Sequence, residues 1–257
     1  MSRLSLRALN RALLARHMLL ARETAGVVAA VERLAGMQAQ VPRPPYIGLW
    51  SRLADFHRDA LTNAVVKRDL VRATLMRGTL HLVSKKDYLA FRPALQPMLA
   101  RGADAIVKDA IAEREPILRD ARKFFGRNAC TFDELRKHLV ERHPGVGDRA
   151  MGYLARMHLP LVQVPSAAAA WGYPAIADFA LADAYFGKAV PADGKPDALA
   201  LRYFAAFGPA TAADFQNWSG MQGGKEIVAA IRGKLESVRD ERNRELFDVP
   251  GAPRPDE

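Results

Sequence analysis

The chain has 257 residues and 49% hydrophobic content, which is enough to bury a substantial core in one large domain or several small ones. Its 38 lysines and arginines outnumber its 28 aspartates and glutamates and give a formal net charge of +10. This excess favours a polyanionic partner, and nucleic acid is the leading candidate. A basic soluble protein without such a partner has the same charge balance, so charge alone does not decide between the two.

Several protein classes are excluded by the same composition. No apolar run approaches the length of a membrane span, and we expect no secretory signal at the N-terminus. Cys130 is the only cysteine, which excludes an internal disulfide framework and a cysteine cluster for zinc. The six histidines are too scattered for a metal motif. The sequence therefore predicts an intracellular, cytoplasmic protein that needs no metal and no organic cofactor.

The first predicted helix, near residues 3–22, carries a basic stripe opposite its apolar face. Three arginines recur at every fourth position and so share one side of that helix: Arg3, Arg7 and Arg11. Like charges at this spacing repel one another unless phosphates or solvent screen them. The stripe predicts contacts with DNA phosphates.

Gln38 and Gln40 follow the second predicted helix, near residues 26–37, at the start of a proline-rich segment. Because Pro42 disfavours the α conformation at Val41, we expect the helix to end between the two glutamines. An extended backbone there places both amides on one side, where they can hold a water molecule. The alternative interpretation is that both amides cap the helix end and meet solvent.

Two further predicted helices, near residues 45–53 and 57–66, lead into a β-hairpin of strands 70–76 and 79–83. Tyr46 and Trp50 belong to the first of these helices. Their spacing favours packing in the core over stacking on a base that has left the DNA duplex.

Residues in and after the hairpin are candidate DNA contacts. Arg77, at the tip, either contacts a phosphate or the minor groove, or remains solvated. His81 shares a strand face with Thr79, and a hydrogen-bonded core histidine is the commoner outcome for such a position. Lys85 and Lys86 directly follow the hairpin and add positive charge.

A helix, a glycine and a capped helix start occur in that order twice in the rest of the chain. Thr131 with Glu134, and Thr211 with Asp214, have the spacing of capping boxes. The remaining predicted helices cover residues 149–157, 198–207, 212–219 and 226–235, and the remaining predicted strands cover residues 161–164 and 246–249.

This order of elements predicts a mainly α fold with small β-hairpins (α+β), arranged as tandem winged-helix units. The first unit covers residues 1–84 and contains the Gln-x-Gln element, and the second covers residues 85–187. The third covers residues 196–257 and is less complete. The glycine- and proline-containing stretch 187–196 is the clearest linker.

Three stretches resemble the AlkZ-like winged-helix DNA glycosylases: GMQAQVP at residues 36–42, PYIGLWSRL at 45–53 and VRATLMRGTLHLV at 71–83. The resemblance extends over nearly the whole chain. It implies tandem winged helices followed by a C-terminal β-barrel, and an activity that excises alkylated purines and, in some members, unhooks interstrand crosslinks. The catalytic element of the family is a glutamine, an apolar residue and then a glutamine or aspartate. The resemblance therefore implies that Gln38 and Gln40 are catalytic.

The chain departs from the family pattern at its end, because it stops at Glu257 soon after the third predicted unit. We expect the barrel, which helps to close the DNA-binding surface in the family, to be absent. The chain is then either a fragment or a reduced homologue, and the sequence does not separate these alternatives.

The leading hypothesis from the sequence is a monofunctional DNA glycosylase that acts on double-stranded DNA containing N7-alkylated purines. Gln38 and Gln40 position the attacking water. The candidate DNA-binding residues are Arg3, Arg7, Arg11, Arg77, His81, Lys85 and Lys86. A non-catalytic winged-helix protein that binds DNA or regulates its use is the second hypothesis, and a protein-interaction scaffold is the third.

Overall fold

The computed structural model describes residues 3–107, 114–126 and 128–256. Its α-helices are α1 (Leu6–Arg16), α2 (Val27–Arg33), α3 (Pro44–Trp50), α4 (Arg58–Val66), α5 (Lys85–Ile106), α6 (Arg114–Phe125), α7 (Phe132–Arg142), α8 (Asp148–His158), α9 (Ala182–Phe186), α10 (Asp197–Phe207), α11 (Ala212–Ser219) and α12 (Gly224–Ala230). Its strands are β1 (Arg3–Leu4), β2 (Met37–Gln38), β3 (Leu70–Thr74), β4 (Leu80–Ser84), β5 (Leu161–Gln163), β6 (Phe179–Leu181), β7 (Glu236–Asp240) and β8 (Glu245–Asp248). The fold is a mixture of helices and small sheets.

Two sheets organise the described part of the chain. One has five antiparallel strands in the order β2-β4-β3-β5-β6, so the predicted hairpin β3–β4 forms its centre and continues into strands from the second predicted unit. The other has three strands in the order β1-β7-β8, in which β1 pairs parallel with β7. The three-stranded sheet therefore joins the first described residues to the last strands of the chain.

The first predicted helix is too long, and one of its arginines lies outside it. Helix α1 covers only Leu6–Arg16, because Ser5 caps its start by accepting a hydrogen bond from the Ala8 backbone N–H and Met18 has a positive φ of 57° after its end. Arg3 belongs instead to strand β1, opposite Arg239. The predicted stripe therefore retains only two arginines on the helix.

The second predicted helix also ends earlier than expected, at Arg33 rather than between the glutamines. Ala35 and Gly36 have positive φ values of 56° and 89° and turn the chain toward the sheet. A Cβ atom at Gly36 would lie 2.6 Å from Val83 Cγ1, so the turn passes too close to β4 for a side chain. Gln38 follows this turn in strand β2, and Gln40 lies at a bend just beyond it.

Both predicted capping boxes are confirmed. The Thr131 hydroxyl accepts from the Glu134 backbone N–H while the Glu134 carboxylate accepts from the Thr131 backbone N–H, and Thr211 and Asp214 make the same pair of bonds. The helix predicted at residues 226–235 ends at Ala230. The chain then forms a short 3₁₀ turn and strand β7.

The larger hydrophobic core extends from β3 to the end of α12 and includes buried residues on both sides of the boundaries predicted at residues 84 and 187–196. A second, smaller core lies between α2, α3, α4 and one face of the central hairpin. The division into three winged-helix units stays a prediction. Among the described residues, no helix is both long and apolar enough to cross a membrane.

Candidate active site

The glutamine segment, residues 38–40, lies along the edge of the five-stranded sheet. Strand β2 pairs with β4 so that Gln38 is opposite His81, and the Ala39 backbone N–H donates to the Leu80 carbonyl oxygen at 2.7 Å. Gln38 and Gln40 are exposed, whereas Ala39 between them is buried. Gln38 is the last residue of β2, and Gln40 lies at a bend just beyond the end of the strand.

The two glutamines differ in how they are held. The Gln40 side-chain carbonyl oxygen accepts a hydrogen bond from the Leu80 backbone N–H at 3.1 Å. A carbonyl oxygen has two lone pairs, so this bond leaves one free for water. Within the described part of the chain, the Gln38 side chain makes no hydrogen bond to protein, and its whole amide is available to a ligand or to water.

Arg72, in the middle of β3, holds the backbone of the glutamine segment through two hydrogen bonds. Its Nε donates to the Ala39 carbonyl oxygen at 2.7 Å and a terminal nitrogen donates to the Gln40 carbonyl oxygen at 2.9 Å. The other terminal nitrogen donates to Oε1 of Gln163 on β5. The Arg72 side chain is only 4% exposed, and burial lowers its pKa to about 10, so it is charged at neutral pH.

An aromatic cluster next to this segment is core rather than a base pocket. Tyr46, Trp171 and Tyr173 line a cavity beside Ala39 with a volume of about 10 Å³, which has room for about one water molecule. The core packing predicted for Tyr46 is confirmed. The same prediction for Trp50 is wrong, because this side chain is 55% exposed and its ring has the Arg22 guanidinium 4.6 Å from its centroid.

His81 is a buried, hydrogen-bonded histidine with 3% exposure. Its Nδ1 lies 3.0 Å from the Thr79 carbonyl oxygen, which requires the ring to carry its proton on that nitrogen. Burial lowers the His81 pKa to about 4, and the nearby Arg77 charge acts in the same direction. The ring is therefore neutral at pH 7, directly across the strand pair from Gln38.

A protein-family model described as DNA glycosylase AlkZ-like matches residues 31–257, which include the glutamine segment and all of the five-stranded sheet. The chain belongs to the AlkZ-like DNA glycosylase family. The family resemblance inferred from the sequence is thereby confirmed, and DNA is the substrate class of the family.

The fold of this AlkZ-like chain is also similar to that of a solved structure, the Streptomyces sahachiroi DNA glycosylase AlkZ. The TM-score is 0.79 at 20% sequence identity, over 96% of this chain and 70% of that one. At this level of identity the likeness shows the fold alone. A search of curated protein sequences gives no significant match.

The structure separates the candidate DNA-binding residues of this AlkZ-like chain into groups. His81 lies beside the glutamines, and Lys85 and Lys86 begin α5 directly after β4. Arg3, Arg7 and Arg11 lie on β1 and α1, next to the three-stranded sheet rather than the five-stranded one. Arg11 Nε donates to the Asp256 carbonyl oxygen, and Lys85 Nζ lies 5.0 Å from the Phe186 ring centroid.

Arg77 is exposed at the hairpin tip, but it is not simply solvated. It has a positive φ of 54°, and a terminal nitrogen donates to the Trp218 carbonyl oxygen at the end of α11. A Cβ atom at Gly220 would lie 3.2 Å from Arg77 Cα, so the hairpin tip and the end of α11 are in close contact. Its role in DNA binding stays a prediction.

Sequence reasoning missed Arg72. An arginine inside an otherwise apolar strand is a signal, because arginine is rarely fully buried without a specific partner. Among the described residues, no group of three or more histidine, cysteine, aspartate or glutamate side chains is placed to hold a metal ion.

Proposed function

We propose that the chain is a DNA repair glycosylase that hydrolyses the N-glycosidic bond of N7-alkylated purines in double-stranded DNA. Gln38 and Gln40 position the water, and the helices and hairpins form three tandem winged-helix units. The observation that carries the proposal is a pair of exposed glutamines, Gln38 at the end of β2 and Gln40 just beyond it, in a member of a DNA glycosylase family.

The reaction suits two neutral amides because of the charge on the substrate. A purine alkylated at N7 is already cationic, so the glycosidic bond is weakened and the base departs without protonation by an enzyme acid. As the glycosidic bond breaks, its electron pair leaves with the base and positive charge develops on the sugar. A water molecule attacks C1′ and releases one proton to the surrounding solvent. The side-chain carbonyl oxygens of Gln38 and Gln40 accept hydrogen bonds from that water and hold it in place, which is a positioning effect.

The same chemistry limits the range of substrates. An amide carries no net charge, so it stabilises a cationic sugar less than a carboxylate would. Substrates with a neutral, poor leaving group therefore remain intact. A crosslink attached through purine N7 has the same cationic leaving group, and its unhooking belongs to the same proposed activity.

A pair of otherwise identical duplexes tests this function. One contains a single N7-methylguanine and the other a single hypoxanthine, whose base is uncharged. We expect the wild-type chain to release N7-methylguanine faster than it is lost spontaneously, and to leave hypoxanthine in place. Binding of both duplexes without release from either would contradict the proposal and favour a non-catalytic DNA-binding protein.

A further inference from the structure

Arg72 contacts both peptide groups that flank the Gln40 side chain. Its Nε binds the carbonyl oxygen of Ala39, and a terminal nitrogen binds the carbonyl oxygen of Gln40 itself. The guanidinium is planar and its donors form a rigid fork, so two successive carbonyl groups held by it cannot rotate independently. These bonds restrain the backbone dihedral angles of Gln40.

Other contacts fix the guanidinium in place. Gln163 on β5 accepts from the remaining terminal nitrogen, and the Tyr173 ring centroid lies 5.4 Å from Arg72 Cζ. Leu80 holds the opposite side of the segment, because its carbonyl oxygen accepts from Ala39 and its N–H donates to the Gln40 side chain. The segment thus lies between β4 and a guanidinium that β3 and β5 hold.

The charge of Arg72 is not balanced by an acidic side chain of the described part of the chain. Within the described residues, no carboxylate lies within 4 Å of it, and its three acceptors are two peptide carbonyls and one amide. Arg156, which donates to Thr74 Oγ1 on the same strand at 3.2 Å, adds a second positive charge nearby. A buried cation held only by neutral groups costs stability, so folding alone gives little reason for an arginine at this position.

We propose that Arg72 is a positioning residue that sets the glutamine segment in the geometry required for attack by water. This inference rests on the proposed function of Gln38 and Gln40. A positive charge near the site raises the energy of the cationic sugar that forms in the reaction. The contribution of Arg72 is therefore geometric rather than electrostatic. Its loss lowers the rate of base release and leaves DNA affinity nearly unchanged.

Arg92 provides a matched control. It is 2% exposed and, among the described residues, also has no acidic partner. Its bonds run to Gln96 Oε1 at 2.6 Å and to the carbonyl oxygens of Met157 and Leu159 at 3.1 and 3.0 Å. Arg92→Lys therefore removes the same kind of buried fork at the end of α8, where the glutamine segment makes no contact with it.

The test compares the wild type with Arg72→Lys, Gln163→Leu and Arg92→Lys. Amide hydrogen exchange is measured for the peptide containing residues 37–41, thermal stability is measured by unfolding, and the single-turnover rate of N7-methylguanine release is measured at saturating enzyme. Gln163→Leu leaves Arg72 in the chain, so it provides a result even if Arg72→Lys does not fold.

For Arg72→Lys we expect exchange of the Ala39 amide to increase about tenfold and base release to slow by about 10- to 100-fold, with DNA Kd changed less than about threefold. Gln163→Leu has a smaller effect in the same direction. Arg92→Lys lowers stability but changes neither the exchange of this peptide nor the rate.

Equal exchange and equal rates in Arg72→Lys and Arg92→Lys would overturn the inference, as would a loss in Arg72→Lys that appears only in DNA affinity. A wild-type chain that releases no base would contradict the proposed function and the catalytic consequence of Arg72. The exchange measurement tests the hold of Arg72 on the segment separately, since it needs no activity.

Discussion

The backbone N–H of Leu80 donates to the side-chain carbonyl oxygen of Gln40 at 3.1 Å. This bond fixes one of the two candidate catalytic amides to the central hairpin before any substrate arrives. Gln38, two residues earlier in the chain, makes no such bond within the described residues. The two glutamines therefore differ: the fold holds the Gln40 amide, whereas no protein contact among the described residues holds the Gln38 amide.

Substitutions at Gln40 test whether its side-chain oxygen, held by Leu80, is needed for base release. Gln40→Glu keeps an oxygen that accepts from Leu80 and adds a negative charge that stabilises a cationic sugar, so we expect N7-methylguanine release at the wild-type rate or faster. Gln40→Leu loses the acceptor and should slow release about tenfold or more.

A matched control for Gln40→Leu is Gln216→Leu. It removes a similar bond, from the Gly224 backbone N–H to Gln216 Oε1 at 3.0 Å, far from the glutamine segment along the chain. Single-turnover rates of all three variants make the comparison. An unchanged rate in Gln40→Leu would show that this amide does not position the water.

A buried ion pair links the two ends of the described chain and makes a prediction about stability. Arg16 and Asp248 are 1% and 0% exposed, and both terminal nitrogens of Arg16 donate to the carboxylate at 2.8 Å. Asp248→Asn leaves Arg16 buried without a counter-charge, so we expect it to lower the free energy of unfolding by about 3–5 kcal/mol.

The exposed pair of Arg232 and Glu245, also 2.8 Å apart, serves as the control for the buried pair. Glu245→Gln should change the free energy of unfolding by less than about 1 kcal/mol, because solvent already screens this pair. Urea denaturation of both variants measures the difference. A similar small loss in both would mean that the buried pair does not hold α1 against β8.

Local interactions were predictable from the sequence, and long-range ones were not. The capping boxes at Thr131 and Thr211 follow from residues three positions apart. The early end of α2 depends on the closeness of Gly36 to Val83 on β4, which no local pattern shows. Proline-based reasoning at Pro42 therefore placed that end too late, although the extended glutamine segment was expected.

The buried Arg72 was the main feature of the candidate site that the sequence did not predict. The acceptors of Arg72 are the carbonyl oxygens of Ala39 and Gln40 and the side chain of Gln163, all distant in sequence. Such partners become visible only once the chain is folded. Strand β7 was missed because its sequence is mostly polar, although its main partner, β8, follows closely in the chain.

We expect the free energy of unfolding to depend on pH because of the buried His81. Its pKa is about 4 when folded and 6.5 at the ordinary value, so between these pH values the unfolded chain binds a proton that the folded ring does not. Stability is complete above pH 6.5 and falls as the pH drops toward 4, by on the order of 3 kcal/mol from this residue. Burial lowers the pKa of His17 to about 4 as well, and it acts in the same direction.

The variants His81→Asn and His57→Asn separate this effect from other titrations. His57 is exposed, and His57→Asn serves as the control replacement of a histidine at the surface. His81→Asn should flatten the curve between pH 4 and 6.5 relative to the wild type, whatever it does to stability at pH 7. Curves of the same slope for the wild type and His81→Asn would contradict a neutral, buried His81.

We expect replacement of Arg7 to change the salt dependence of DNA binding. It is exposed on α1, and a phosphate contact there would release about one counterion on binding. Arg7→Gln should therefore weaken duplex binding severalfold and reduce the slope of log K against log salt by about 1. Arg142→Gln is the control, because Arg142 Nε already pairs with Asp120 at 3.1 Å. Equal slopes for the wild type and Arg7→Gln would remove Arg7 from the DNA-binding surface.

The most direct test of the account is the single-turnover release of N7-methylguanine from a duplex by the wild type, Gln38→Ala, Gln40→Ala and the double variant, with DNA binding measured for each. We expect release above the spontaneous rate in the wild type, partial loss in each single variant, and complete loss in the double variant, all with DNA binding retained. Release by the double variant at the wild-type rate would contradict the central claim that these two glutamines position the attacking water.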